Sequence, residues 1–472
     1  CASATFITLG LVGCASDHEP PSTPVPNTPA QAKNVIFFLG DGMGITTLTA
    51  ARIYSVGEEG ELTIDTLPET GFIKTFSNDA QVTDSAPSMA AYMTGVKMNN
   101  EVISMSTETK AIDPKTDATG NCGTNNGAAV TTLLEMAKAA GRSTGVVTTT
   151  RVTHATPAAT YAHVCHRDAE NDIAAQLTPG GAGYNAKLAD GVDVVLGGGK
   201  NFFLPSTAGG KRPDGRDLTA EFKVKGYAFA SNKAEFTALD TSKTSRALGL
   251  FSNSHMSYDL DRDAAKEPSL AEMSTKAVQM LAKNSKGYFL MVEGGRIDHA
   301  LHETTARKAL QDTVAFDDAI KATLAEVKKT DPELKNTLIV VTADHDHTLI
   351  LNGYAKRTGK STATNPGVLG LVRNYYDGNL AKDADGKPHT IIGFGNGENR
   401  SNGNRASFAD LTDDVVYAAS YHQEAAIRTA AGSETHGGTD VFVGAIGKGA
   451  DSISGVMENI KLFNLIKTAA GL

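Results

Sequence analysis

Tyr288-Phe289-Leu290-Met291-Val292-Glu293-Gly294-Gly295-Arg296-Ile297-Asp298-His299-Ala300-Leu301-His302 is the stretch that decides how this chain folds. Its first five residues are a continuous apolar run, the pattern of a strand buried on both faces of a parallel sheet. Glu293 leaves the C-terminal end of that strand, where open α/β sheets gather their ligands. Asp298 and His302 stand four apart, so a helical turn puts both on one face. A carboxylate and an imidazole converging in this way suit zinc, and Glu293, a hard oxygen donor, suits magnesium. A strand-to-helix turn with a solvated charged face shows the same pattern, so the segment needs partners elsewhere in the chain.

Those partners repeat the arrangement of an acid at a strand end. Asp41 follows the apolar run Val35-Ile36-Phe37-Phe38-Leu39, between glycines that allow close backbone approach. Asp344 and His345 follow Leu338-Ile339-Val340-Val341-Thr342-Ala343. Asp346 and His347 compete for the same role, and strand-end position favours the first pair. His436 lies in Glu434-Thr435-His436-Gly437-Gly438, just before another apolar run. Ser85, in Thr83-Asp84-Ser85-Ala86-Pro87, opens a helical pattern, where the helix dipole favours an alkoxide. An N-cap role for Asp84 or Ser85 fits the same residues. No Gly-x-Ser-x-Gly elbow surrounds Ser85, so metal is the better agent for activating it. Thr156 offers a hydroxyl to magnesium, and Arg167 can clamp two phosphate oxygens.

Between these points the pattern alternates. Strands are expected over 35–39, 71–76, 144–149, 192–196, 288–292, 337–341 and 441–445, with helices over 46–56, 128–140, 270–283 and 305–328. Such alternation predicts an α/β fold: a large, mostly parallel central sheet with helices on both faces. Two stretches break the rhythm, about 201–263 and about 349–432, and read as insertions into a single domain spanning 33–472.

Composition sets the class. Across 472 residues, 40% hydrophobic and 21% charged are ordinary for a soluble globular protein. The net charge of −9 disfavours nucleic-acid binding, which needs a basic face. It says less against a small anionic substrate, because bound cations reverse the local sign. Residues 1–14 read as an export signal, and Leu11-Val12-Gly13-Cys14 resembles the bacterial lipoprotein box, in which the Cys is lipidated. An ordinary secretion signal is the other reading, and either one exports the protein. Residues 15–32 carry five prolines and no periodicity, so they form an extended tether. Cys122 and Cys165 remain outside the export segment, a candidate disulfide in an oxidising compartment, with two buried thiols as the alternative.

In chain order, the Gly-Asp-Gly segment at Asp41, Asp-Ser-Ala at Ser85, His-Ala-Thr-Pro-Ala-Ala from His154 with Arg167 downstream, Glu-Gly-Gly-x-Ile-Asp-His-x-x-His from Glu293, Thr-Ala-Asp-His ending at His345 and Glu-Thr-His-Gly-Gly around His436 resemble the alkaline phosphatases. The resemblance runs from about Lys33 to Ala445. It implies two zinc ions and one magnesium, the first zinc on Asp298, His302 and His436. The second would lie on Asp41, Asp344 and His345, completed by Ser85. Magnesium would lie on Thr156 and Glu293 with Asp41 bridging, and Arg167 would bind phosphate. His154 and His299 stand where the enterobacterial enzymes have Asp and Lys, and both resemble the animal enzymes, which bears on the metal at the third site. The 349–432 stretch takes the place of their crown-like insertion. The resemblance further implies phosphate monoesters as substrates, a phosphoserine intermediate and a homodimer. With the signal, it implies a periplasmic or membrane-anchored lipoprotein of a bacterium.

Two rivals remain. A phosphodiesterase or sulfatase of the same superfamily is the nearer one. Sulfatases need Cys/Ser-x-Pro-x-Arg, which Ser85-Ala86-Pro87-Ser88-Met89 lacks. Diesterases commonly use Thr as nucleophile and have no matching Arg clamp. A non-catalytic, metal-bearing surface lipoprotein is the rival from another class, and the filling of every chemical position argues against it.

Overall fold

Phe37 and Phe38 are adjacent on one strand, so their side chains leave on opposite faces. In the computed structural model, which describes residues 31–400 and 403–472, Phe37 packs on Tyr92 and Phe38 on Phe316, ring centroids 5.6 and 5.9 Å apart. Tyr92 belongs to the helix Ser85–Thr94 and Phe316 to the helix Ala306–Lys328, so helices cover both faces of the sheet. Each such fully buried ring contributes about 1.5–3 kcal/mol by leaving water.

The sheet has ten strands: β1 Asn34–Gly40, β2 Glu69–Lys74, β3 Ser143–Arg151, β4 Val194–Gly198, β5 Ala228–Ala230, β6 Ala247–Leu250, β7 Tyr288–Gly294, β8 Thr337–Ala343, β9 Val441–Gly447 and β10 Gly455–Glu458. Their order is β10-β2-β9-β8-β1-β7-β3-β4-β6-β5. All pairings are parallel except those of β9, which runs antiparallel to β8 and β2. The central strands β1, β7 and β8 are apolar through their middles because both faces are buried. Register sets the site: Gly40 pairs with Gly294 on β7 and with Ala343 on β8. Asp41, Glu293 and Asp344 therefore emerge side by side at one edge.

Three expectations change in detail. The helix expected over 128–140 is Leu133–Ala139, because Thr132 caps it in a reciprocal box with Glu135 while Ala129 bridges to Met105. The 201–263 stretch is more regular than its polar sequence suggests. It holds β5 and β6, which lengthen the sheet, and the helices Leu218–Val224 and Lys233–Ala238. The 349–432 stretch carries a small sheet of Leu349–Leu351, Ile392–Gly397 and Ala425–Arg428. One compact unit runs Gln31–Leu472. Cys122 and Cys165 are joined as a disulfide. The export signal, Cys14 and all but the last residues of the tether lie outside the described residues. Among the described residues, no helix is long and apolar enough to cross a membrane.

Candidate active site

Ser85 is the first residue of a ten-residue helix whose N-cap, Asp84, accepts the Ala86 N–H at 2.8 Å. That helix is fastened to the end of β8: Ser88 Oγ donates to Asp344 O at 2.7 Å and Tyr92 Oη to Ala343 O at 2.8 Å. The serine thus stands over the strand-end acids. Ser85 Oγ donates to Asp41 Oδ1 at 3.4 Å and lies 3.2 Å from His345 Nε2. Two glycines keep the floor open. Gly42 has φ +65°, and a Cβ there would lie 2.5 Å from the His347 ring. A Cβ on Gly295 would lie 2.7 Å from Glu293 Oε1.

Three groups of side chains offer ligand atoms within 4.8 Å of one another: Asp298, His302, His347 and His436; Asp41, Asp344 and His345; and Asp41, His154 and Glu293. In the first, Asp298 Oδ1 lies 2.8 Å from His347 Nε2, 3.2 Å from His302 Nε2 and 3.5 Å from His436 Nε2. In the second, His345 Nε2 is 3.4 Å from Asp41 Oδ1 and 3.5 Å from Asp344 Oδ2. The first and second share a wall, with the His345 and His436 rings stacked at 3.5 Å. Thr156 Oγ1 donates to Asp41 Oδ2 at 3.4 Å, which ties it to the third. Glu293 Oε2 accepts from Thr150 Oγ1 at 3.0 Å and from Thr148 Oγ1.

The electrostatics differ between the groups. Burial, joined by the charges of Asp344, Asp298 and Glu293, pushes the Asp41 carboxyl well above its ordinary value. Burial pushes Asp344 up as well, and takes Glu293 to about 7 against the Thr148 and Thr150 hydrogen bonds. Three buried carboxylates side by side repel, and a divalent cation relieves both the repulsion and the lost hydration. Glu293 Oε1, Asp344 Oδ2 and His154 Nδ1 are buried with no hydrogen-bond partner, so each has a lone pair or ring nitrogen to offer. Burial, then the charge of His436, holds His345 far below its usual range, so its imidazole is neutral and able to ligate. At Asp298, burial would raise the carboxyl, but the charge and hydrogen bond of His302, with His347 and His436, hold it well below normal. The donor sets fit divalent ions: imidazole with carboxylate for zinc, and oxygen-rich around Glu293 for magnesium.

Arg167 Nη1 donates to Asp84 Oδ1 at 2.9 Å, and Nη2 lies 3.1 Å from His154 Nε2, which sets the guanidinium between the serine helix and the third group. The fully buried His299 ring is 5.4 Å from the His154 ring, centroid to centroid, and burial lowers its value to about 3.

Several residues that shape this site escape a sequence reading. His347 joins the first group instead of competing with His345. Glu434 holds two imidazoles: its carboxylate lies 2.5 Å from His347 Nδ1, and its carbonyl oxygen lies 2.5 Å from His302 Nδ1. Burial lowers His347, but the Glu434 charge and the Asp298 hydrogen bond win and carry it to about 10. His255, 4.2 Å from His299 between ring centroids, sits in a polar loop that carries no motif.

A helix-borne serine over buried carboxylate and imidazole groups at the C-terminal edge of a parallel sheet defines a metal-dependent hydrolase. The family profile described as Alkaline phosphatase matches residues 32–472. The chain is 39% identical over 459 residues to the tissue-nonspecific isozyme of alkaline phosphatase from Mus musculus, covering 90% of this chain and 81% of the relative. It is 37% identical over 461 residues to the alkaline phosphatase of Gadus morhua, covering 91% and 89%. Among solved structures, the Thermus thermophilus alkaline phosphatase superposes with a TM-score of 0.66 at 26% identity, covering 94% of this chain and 93% of that one. A variant of the alkaline phosphatase TAB5 with Asp in place of a His has magnesium bound in its M3 site, and superposes with a TM-score of 0.64 at 25% identity, covering 93% and 98%. The chain belongs to the alkaline phosphatase family and is a phosphoric monoester hydrolase.

Proposed function

We propose that Ser85 is the nucleophile and that hydrolysis passes through a phosphoserine. The observation that carries this is the position of Ser85 Oγ, at a helix N-terminus, 3.2 Å from His345 Nε2 and 3.4 Å from Asp41 Oδ1. Asp298, His302 and His436 would hold one zinc, and Asp41, Asp344 and His345 a second. Asp41, Thr156 and Glu293 would hold magnesium, and His154 adds a nitrogen donor that also suits zinc. Bound there, the cations supply positive charge that favours the Ser85 alkoxide and stabilises both in-line oxygens of phosphoryl transfer.

The chain's own groups do the rest. Arg167, oriented by Asp84, offers two parallel N–H donors to non-bridging phosphate oxygens. Ser85 Oγ attacks phosphorus as the ester oxygen departs with the alcohol. Water then attacks the phosphoserine, which frees inorganic phosphate and restores the serine hydroxyl. Glu434 keeps His302 and His347 oriented by occupying their second nitrogens. On this reading the protein acts outside the cytoplasm as a homodimer, either free in the periplasm or anchored through a lipid on Cys14. The disulfide supports an oxidising compartment.

The test is turnover of p-nitrophenyl phosphate against bis-p-nitrophenyl phosphate. Strong preference for the monoester is expected. Equal or better use of the diester contradicts the reading.

A further inference from the structure

Arg167 stands on a turn, between the bridge residue Val164 and the helix Glu170–Leu177, so no regular element fixes it. What lies across that turn is a loop. Between 106 and 132 the chain forms no helix or strand, and none of residues 110–130 is buried, so the loop has no core of its own. It nevertheless grips the turn on both sides of Arg167. Before it, Cys122 is bonded to the fully buried Cys165, and the Asp113 carboxylate lies 3.5 Å from His166 Nε2. Beyond it, Asn171 donates its backbone N–H to Ala118 O at 3.1 Å and its side-chain amide to Asp117 O at 2.7 Å. Gly120 N–H donates to Asp172 Oδ2 at 2.8 Å. On the active-site side the Arg167 N–H donates to Glu101 O at 2.8 Å and Glu101 N–H to Asp84 Oδ2 at 2.6 Å, while Lys211 and Arg212 hold Asn171 farther along, at 3.0 and 2.9 Å.

We propose that the Cys122–Cys165 disulfide and the loop it clips are a positioning device for the phosphate clamp, Cys165 acting through Arg167, two residues on. This rests on the reading of Arg167 as the residue that binds phosphate. A polar loop without a core stays docked only while something holds it, and the covalent link ends next to the arginine it backs. A two-pronged contact from a guanidinium is sensitive to small misalignment, so loss of the clip weakens phosphate and monoester binding together. The metal groups and Ser85 lie on other elements and keep their places.

The experiment compares the metal-loaded wild type with Cys122→Ser/Cys165→Ser, reading the inhibition constant of inorganic phosphate, KM, kcat and metal per chain. The expected result is an inhibition constant and KM that rise together by roughly tenfold, kcat within about twofold and unchanged metal. In an Arg167→Ala background the same serine pair should move the phosphate constant no further, since the two changes act through one contact. A disulfide with a merely structural role lowers thermal stability in both backgrounds and leaves the phosphate constant alone. Asp172→Ala cuts one loop contact and keeps the disulfide, so it decides the matter if the serine pair does not fold. It should raise the phosphate constant by about two- to threefold. Unchanged phosphate affinity in every variant that folds overturns the proposal. If Arg167→Ala alone leaves phosphate affinity intact, the reading of Arg167 fails first.

Discussion

Buried acids occur at both edges of the central sheet, and they are treated in opposite ways. At the N-terminal ends of the strands, Asp331 accepts the backbone N–H groups of Lys335 and Asn336 at 2.9 and 3.0 Å and the Thr337 hydroxyl at 2.9 Å. Asp193 accepts from Lys138 Nζ at 3.0 Å and Thr144 N–H at 2.8 Å. At the C-terminal ends, Asp41, Glu293 and Asp344 face one another, and Glu293 Oε1 and Asp344 Oδ2 have no donor at all. Both edges bury carboxylates, and they differ in how many carboxylate oxygens meet a donor and in whether the acids face one another. An acid with its donors in place holds the fold together. Acids that face one another with an oxygen left bare store repulsion that a cation can turn into affinity.

The largest expected effect lies at the C-terminal edge. Ser85→Ala should lower turnover by about 10⁴-fold with metal content intact, read as initial rates beside elemental analysis. At the other edge, Asp331→Ala strands the donors of Lys335, Asn336 and Thr337. It should cost about 2–4 kcal/mol in denaturant unfolding while per-molecule activity survives. The pH dependence of the chelated protein comes next. The Glu293 carboxyl at about 7 lies above its ordinary 4.5, so the folded chain holds this proton more tightly than the unfolded one. Its contribution is therefore fully present below about 4.5 and is lost as pH rises through about 7. Chelated wild type should lose on the order of 3 kcal/mol more than chelated Glu293→Gln between pH 4.5 and pH 8. The smallest effect has the opposite sign to Asp331→Ala. Asp344→Asn relieves repulsion and should stabilise the chelated protein by about 1 kcal/mol at pH 8. Destabilisation there would erase the contrast between the two edges.

The C-terminal edge was legible because each acid follows an apolar run, and parallel strands in register must gather their ends. The resemblance of the ordered motifs to a family then sorted those acids among ions. His347 and Glu434 were less legible. Their roles depend on His347 standing beside Asp298, 49 positions away in sequence, and on Glu434 reaching back to it across 87. The strands Ala228–Ala230 and Ala247–Leu250 were hidden for another reason: three and four residues carry no measurable period, and only the sheet beside them makes them strands. The structural acids had no signal at all, since an Asp before a strand reads as a turn until its donors are counted.

The central claim is that the unsatisfied acids at the C-terminal edge are a multinuclear metal site that performs phosphomonoester hydrolysis. Elemental analysis of zinc and magnesium per chain, taken beside p-nitrophenyl phosphate turnover through stepwise chelation, tests it most directly. The account predicts about three ions per chain, one for each of the three donor groups, with turnover falling as they are withdrawn and returning when they are restored. Full turnover in protein stripped below one ion per chain would contradict it.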